Sequence, residues 1–182
     1  MSRPRSWFQT SSNAHATRPA SPYARSTYRY TPLLAAILSP IWILPDPLGA
    51  FSGKLLFSAV SSFVIPPLLL HRPINAPPHL VHLIWTLNPM ILNINTRGSS
   101  ESLLIAMVLM SVVCLKTRRL ARAAALWALS VHWKVYPIIY GAPILVELLK
   151  SDKGRLITWS KIRFALVSTG TFVGLGVACF AM

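Results

Sequence analysis

Acidic side chains are nearly missing: 182 residues hold four Asp and Glu against 18 Lys and Arg, a formal net charge of +14. Charge of either sign is scarce. Charged residues make up 12% of the chain, about half of the ~25% usual in soluble domains, while 53% are hydrophobic and the mean hydropathy is +0.52. A chain so poor in charge is not built for water, and these values indicate a membrane protein. Cysteine is limited to Cys114 and Cys179. Both lie in apolar runs, which excludes a disulfide framework and a zinc site and leaves them as small core residues. Basic residues are not interleaved with aromatics in a groove-like pattern and no nucleic-acid reading module is present, so the positive charge indicates membrane topology and no nucleic acid partner. No metal site is expected.

Long uninterrupted spans are scarce too. Uncharged stretches cover 55–71, 73–96, 102–115, 123–133, 135–146 and 164–182; a clean span needs roughly 20 apolar residues, so only the last suffices alone. Fifteen prolines, among them Pro66, Pro67, Pro89, Pro137 and Pro143, remove backbone donors that neighbouring helices or a water-filled cavity must replace. The sequence therefore predicts an all-α polytopic membrane protein, a bundle of Pro-broken and interfacial helices around a polar cavity. Membrane helices are expected at about 52–71, 79–95, 101–115, 121–134, 136–149 and 164–182, after a non-cytosolic interfacial segment at 21–51 and a disordered stretch at 1–20.

The most basic loops fix the orientation. Lys116, Arg118, Arg119 and Arg122 form one; Lys150, Lys153, Arg155, Lys161 and Arg163 form the other. Both are expected in the cytosol. Alternation then places Lys54, the stretch NTRGSSES (95–102) and the turn HWKVYP (132–137) together on the opposite face. Residues 28–47 are cut by Pro32, Pro40 and Pro45 and read as an interfacial or re-entrant helix on that same face, with Tyr28, Tyr30 and Trp42 as headgroup-level anchors.

Charges within the membrane are costly, so Lys54, Arg97, Glu101, Lys134 and Glu147 each call for a partner or water. Arg97 and Glu101 stand four residues apart and are expected to pair beside a helix start. Gly98-Ser99-Ser100-Glu101 offers a flexible glycine, capping hydroxyls and a first-turn carboxylate. Taken singly, Arg97 and Lys134 read as snorkelling side chains and His132 as a satisfied core histidine. Taken together, the three polar islands make a cationic, aromatic-rich pocket suited to an anionic lipid headgroup.

Four stretches in order and spacing, SPYARSTYRYTPLL (21–34), GKLLF (53–57), LNPMILNINTRGSSESLL (87–104) and VHWKVYPIIYGAPI (131–144), resemble the PIG-M type GPI mannosyltransferases, glycosyltransferase family 50. The resemblance covers about residues 21 to 150. It implies a partial GT-C glycosyltransferase membrane domain at 21–182, in the endoplasmic reticulum membrane with its active site in the lumen. The implied reaction is inverting transfer of the first α-1,4-mannose, from dolichol-phosphate-mannose to a GlcN-(acyl)phosphatidylinositol acceptor, in GPI-anchor biosynthesis. No bound cofactor is implied; the donor is a lipid-linked sugar, and a small stabilising membrane subunit of the PIG-X type is an implied partner. Donor and acceptor binding is expected at Tyr28, Arg29, Tyr30, Lys54, Asn95, Arg97, Glu101, His132, Lys134 and Tyr136. Inversion needs a carboxylate to take the acceptor proton and cations to stabilise the departing phosphate; Arg29, Lys54, Arg97 and Lys134 suit the second role.

The pattern departs from the family at the carboxylate. The family carries an acidic DxD-type motif in the first lumenal loop, behind an N-terminal membrane helix, whereas the first acid here is Asp46 and residues 1–20 do not match. Two explanations stand, an incomplete or misassembled gene product and a truncated paralogue; with either, the catalytic carboxylates are expected to be absent and the chain inactive as it stands. Glu101 beside Arg97 is expected to orient that arginine and not to act as base. The first 30 residues hold five arginines and no acid, like a mitochondrial transit peptide, a likeness set aside because residues 21–30 match the family. The competing reading is a non-enzymatic polytopic protein, a transporter piece or assembly scaffold whose polar islands line a permeation path.

Overall fold

A computed structural model of the chain describes residues 32–38, 48–70, 77–151, 155 and 157–181, all within the unit spanning residues 31–182. Among the described residues every regular element is helical. In chain order these are α1 (Pro32–Leu38), α2 (Leu48–Ala59), a π-helical turn (Val60–Val64) and α3 (Ile65–Leu70), then α4 (Pro78–Thr86), α5 (Pro89–Arg97), α6 (Glu101–Lys116) and α7 (Leu120–Trp133). A 3-10 turn (Tyr136–Tyr140), α8 (Gly141–Ser151) and α9 (Trp159–Ala181) complete the series.

Among the described residues two helical stretches are long and apolar enough to cross a membrane, Phe51–Leu70 with 20 residues and Trp159–Ala181 with 23. A third passes only as a pair, α5 with α6, bent by 118° between Arg97 and Glu101. The expected helix at 79–95 is divided: Leu87 closes α4, and Asn88 caps α5 by accepting from the Met90 N–H at 2.9 Å, with Pro89 at the first helical position. Asn-Pro favours this start because the ring presets φ and the missing N–H is one a helix leaves unbonded anyway. The expected helix at 136–149 likewise resolves into a 3-10 turn and α8, ending at Ser151, and the last helix starts at Trp159, before the expected 164. At ~1.5 Å per residue the 16 residues of α6 reach about 24 Å, short of the ~30 Å hydrocarbon layer.

Pro66 and Pro67 explain the π turn. Their rings remove donors from the ladder, and the register slips so that the Ile65 N–H bonds the Val60 carbonyl, one residue farther back than in an α-helix. The slip releases the Ser61 carbonyl, which accepts the indole N–H of Trp85 at 3.0 Å. In lipid such a carbonyl has no water to turn to, so α4 is fastened where the spanning helix is broken.

Helix α7 lies between α6 and α9 and makes its closest packing with them. Ala123, Ala124 and Ala128 are buried along it, and the small side chains let backbones approach closely enough for the Ser111 hydroxyl of α6 to donate to the Ala123 carbonyl at 2.9 Å. One apolar cluster joins Cys114 and Leu115 to Ala123, Ala124, Ile144, Leu148 and Phe164. The other joins Leu34, Phe57, Leu104, Met107 and Trp133, so the short α1 docks on α2, α6 and α7. Cys114 is a buried core thiol and Cys179 half-buried. Lipid tails are as apolar as these side chains, so close packing and buried hydrogen bonds, more than exclusion of water, hold the helices together.

Two turns share one device. At the end of α5 the Ser99 N–H bonds the Ile94 carbonyl and the Gly98 N–H the Asn95 carbonyl, with Gly98 at φ 69°; at the end of α6 the Arg119 N–H bonds Cys114 and the Arg118 N–H bonds Leu115. Both are Schellman caps. The second puts Arg118 at φ 62°, the one positive φ among described residues other than glycine, a conformation that costs a side-chain-bearing residue about 1–2 kcal/mol.

Candidate functional site

The C-terminal end of α5, the N-terminal end of α6 and the C-terminal end of α7 meet. The Gly98 cap reverses the chain, so Glu101 opens α6 facing back toward the residues that follow α7. Lys134 donates to Glu101 Oε1, and the Tyr136 hydroxyl donates to Oε2 at 2.8 Å. Beneath them the Trp133 indole N–H reaches the Ser100 hydroxyl at 3.4 Å, and the Ser102 hydroxyl donates to Asn95 Oδ1 at 3.1 Å. Lys54 of α2 lays its stem over Gly98: a Cβ built there would stand 2.9 Å from Lys54 Cγ. Lys54, Asn95, Arg97, Glu101, Lys134 and Tyr136 thus share one end of the bundle.

The expected Arg97–Glu101 pair does not form. The four-residue rule holds along one continuous helix, whereas Arg97 closes α5 and Glu101 starts α6 across the 118° bend. Arg97 is exposed, and the partner of Glu101 comes from 33 residues away. His132 also departs from the cluster. It precedes buried Trp133 on α7 and is therefore rotated by about 100° about the helix axis, toward α9, where its ring meets that of Phe172 edge-on at 5.7 Å. Its Nδ1 is buried without a hydrogen-bond partner among the described residues, so the reading of His132 as a satisfied core histidine fails as well. Tyr28, Arg29 and Tyr30 lie outside the described residues.

Glu101 is half-buried and accepts from an ammonium and a phenol at once. With both oxygens engaged it is a poor proton acceptor but a firm anchor, holding the Lys134 charge and the Tyr136 ring in place. Burial, and then the adjacent Glu101 carboxylate, raise the Tyr136 hydroxyl above the ordinary tyrosine range, which keeps it a donor at neutral pH. The cluster presents Lys54, Arg97 and the Lys134–Glu101 unit beside the aromatic ring of Tyr136. Such a surface is chemically suited to a phosphate, through its cations, and to a sugar face, through its ring. No group of three or more metal-ligating side chains occurs among the described residues.

Ser100, Ser102, Trp133 and Gly98 complete the cluster and were not among the expected site residues. Ser100 and Gly98 had a signal in the capping sequence before Glu101; Trp133, buried at 4% exposure, had none beyond lying next to Lys134.

Residues 94–182 match the family described as Mannosyltransferase (PIG-M), a stretch that includes every clustered residue except Lys54. The chain is 39% identical over 171 residues to the GPI alpha-1,4-mannosyltransferase I catalytic subunit of Danio rerio, covering 88% of this chain and 43% of that protein. It is 35% identical to GPI mannosyltransferase 1 of Kluyveromyces lactis, covering 89% and 40%, and 36% identical to that of Saccharomyces cerevisiae, covering 88% and 40%. The chain thus spans less than half the length of these relatives. No solved structure matches it.

Proposed function

We propose that this chain, whose residues 94–182 match the PIG-M mannosyltransferase family and which is 35–39% identical to the relatives above, works in GPI-anchor biosynthesis, in transfer of mannose from dolichol-phosphate-mannose to a glucosaminyl-phosphatidylinositol acceptor. The end of the bundle bearing Glu101, Lys134 and Tyr136 faces the lumen of the endoplasmic reticulum, as the basic residues at the other end require under the positive-inside rule. Lys54, Arg97 and Lys134 hold the donor phosphate there and neutralise the charge that grows on it as the anomeric bond breaks. Tyr136 lies against the sugar, and Glu101 orients Lys134 instead of taking the acceptor proton. A small stabilising membrane subunit of the PIG-X type is the partner that this reading brings with it. The observation that carries the reading is the convergence of Glu101, Lys134 and Tyr136 within the stretch that matches the family.

A chimera tests it. This chain replaces the corresponding stretch of the Saccharomyces cerevisiae relative, in cells lacking that relative, and GPI-anchored protein at the cell surface is measured. Restored anchoring is expected, with K134A in the chimera lowering the transfer rate about 30-fold, the consequence of losing a charged hydrogen bond of ~2 kcal/mol. A membrane-inserted, stable chimera that restores nothing, or one indifferent to K134A, would rule the assignment out.

A further inference from the structure

The opposite end of the bundle carries a second concentration of charge that mannosyl transfer does not use. Arg118 and Arg119 in the turn after α6, Arg122 in the first turn of α7 and Arg163 near the start of α9 line one concavity of about 240 Å³ with Leu120 and Ala121. None of these six lining residues is acidic. Beside it a second hollow holds Glu147, but that carboxylate is taken by Lys116 at 2.6 Å. The turn is fixed, not splayed by repulsion: Arg118 sits in the left-handed region at φ 62°, its guanidinium donates to the Ser151 hydroxyl of α8, and the Arg119 N–H is bonded to Cys114. Arg118 also borders the neighbouring hollow through Ser151; with Arg119, Arg122 and Arg163 around one hollow, like charges repel each other unless an anion lies among them, and planar guanidinium forks match phosphate oxygens.

The level of the hollow in the membrane narrows the source of that anion. Arg163 is on α9, the 23-residue helix long enough to span, four residues after Trp159, which is 72% exposed at the start of that helix and marks headgroup level as interfacial tryptophans do. The hollow therefore opens beside lipid phosphates and not into the hydrocarbon. Its volume is that of roughly eight water molecules at ~30 Å³ each, ample for a phosphate and its first ester oxygens.

We propose that this arginine hollow binds the phosphate headgroup of an anionic membrane lipid in the leaflet opposite the Glu101 cluster, holding the ends of α6, α7 and α9 together through a bound lipid. The site is independent of the transfer reaction. Clustered Lys and Arg next to a membrane helix attract anionic headgroups; here the turn geometry adds a fixed shape to the field.

The test is native mass spectrometry of the purified chain in detergent, titrated with short-chain phosphatidylinositol and, separately, short-chain phosphatidylcholine. A preference for phosphatidylinositol is expected, falling about fivefold for each arginine removed and so about 25-fold in R122Q/R163Q. R155Q, which removes one charge outside the hollow, is expected to keep the preference. The charge-preserving R122K/R163K covers the case in which the glutamine variant fails to insert, and it should lose several-fold because lysine lacks the fork. Full preference in R122Q/R163Q or in R122K/R163K, or an equal loss in R155Q, would overturn the proposal. Displacement of the lipid by inorganic phosphate would overturn it too, because the hollow would then serve a soluble ion.

Discussion

Replacing Gly98 by alanine probes the joint that aims Glu101. Gly98 is at φ 69°, closing the Schellman cap of α5, and the left-handed region costs a residue with a Cβ about 1–2 kcal/mol. The new Cβ would also stand 2.9 Å from Lys54 Cγ. That neighbour is the stem of an exposed, flexible lysine, so it moves at little further cost, and G98A should destabilise the fold by about 1–2 kcal/mol in total. G98N should lose less, because asparagine tolerates the left-handed region. Adding K54A to G98A should recover only the small contact component. Thermal unfolding of the purified protein in detergent, followed by circular dichroism, reads all three. An unchanged midpoint in G98A would show that the cap does not hold φ positive. A full rescue by K54A would show that the contact, and not the backbone, sets the cost.

Other variants test separate joints. E101A leaves the Lys134 ammonium without its carboxylate; removing one partner of a buried pair costs about 3–5 kcal/mol, but both side chains are about a quarter exposed, at 23% and 27%, and solvent screening reduces this to about 2 kcal/mol, visible as a lower unfolding midpoint. W85F leaves the Ser61 carbonyl at the π turn without its donor and should cost about 1–3 kcal/mol; the control is I84F, at an exposed position with no side-chain hydrogen bond to lose. Tyr136 gives a pH signature. Its folded value is raised above the ordinary 10.0, so the stability it contributes is complete below that value and is lost as pH rises toward the folded value. Y136F should remove this alkaline loss, and an identical alkaline profile in Y136F would exclude the tyrosine as its source.

Much of the architecture was legible because its signals are local. Helices at 101–115 and 121–134 were expected close to where α6 and α7 lie, since uncharged runs bounded by basic clusters leave few other starts and stops. Counting alternations between basic loops put Lys54, residues 95–102 and residues 132–137 at one end, where Lys54, Glu101, Lys134 and Tyr136 do meet while His132 turns toward Phe172. The break at Leu87–Asn88 was visible as an Asn-Pro pair but was overridden by the apolar run around it. The partner of Glu101 could not be read the same way. Spacing along the chain offered Arg97, and only the direction of α6 after the Gly98 cap shows that Lys134 is nearer. His132 and Lys134 looked equivalent in sequence, yet one residue either side of Trp133 puts them on different faces, one against Phe172 and the other on Glu101. The bond from Trp85 to Ser61 depends on a register slip that no single-residue preference announces.

The role proposed for the Glu101–Lys134–Tyr136 end is to receive the lipid-linked sugar donor. It is tested most directly by photocrosslinking the membrane-embedded chain with a diazirine-bearing analogue of dolichol-phosphate-mannose and mapping the adducts by peptide mass spectrometry. Adducts are expected in 95–101 and 134–136, competed by the unlabelled donor and lost in K134A. Adducts confined to the arginine hollow at 118–122, or labelling at 134–136 that survives K134A unchanged, would contradict it.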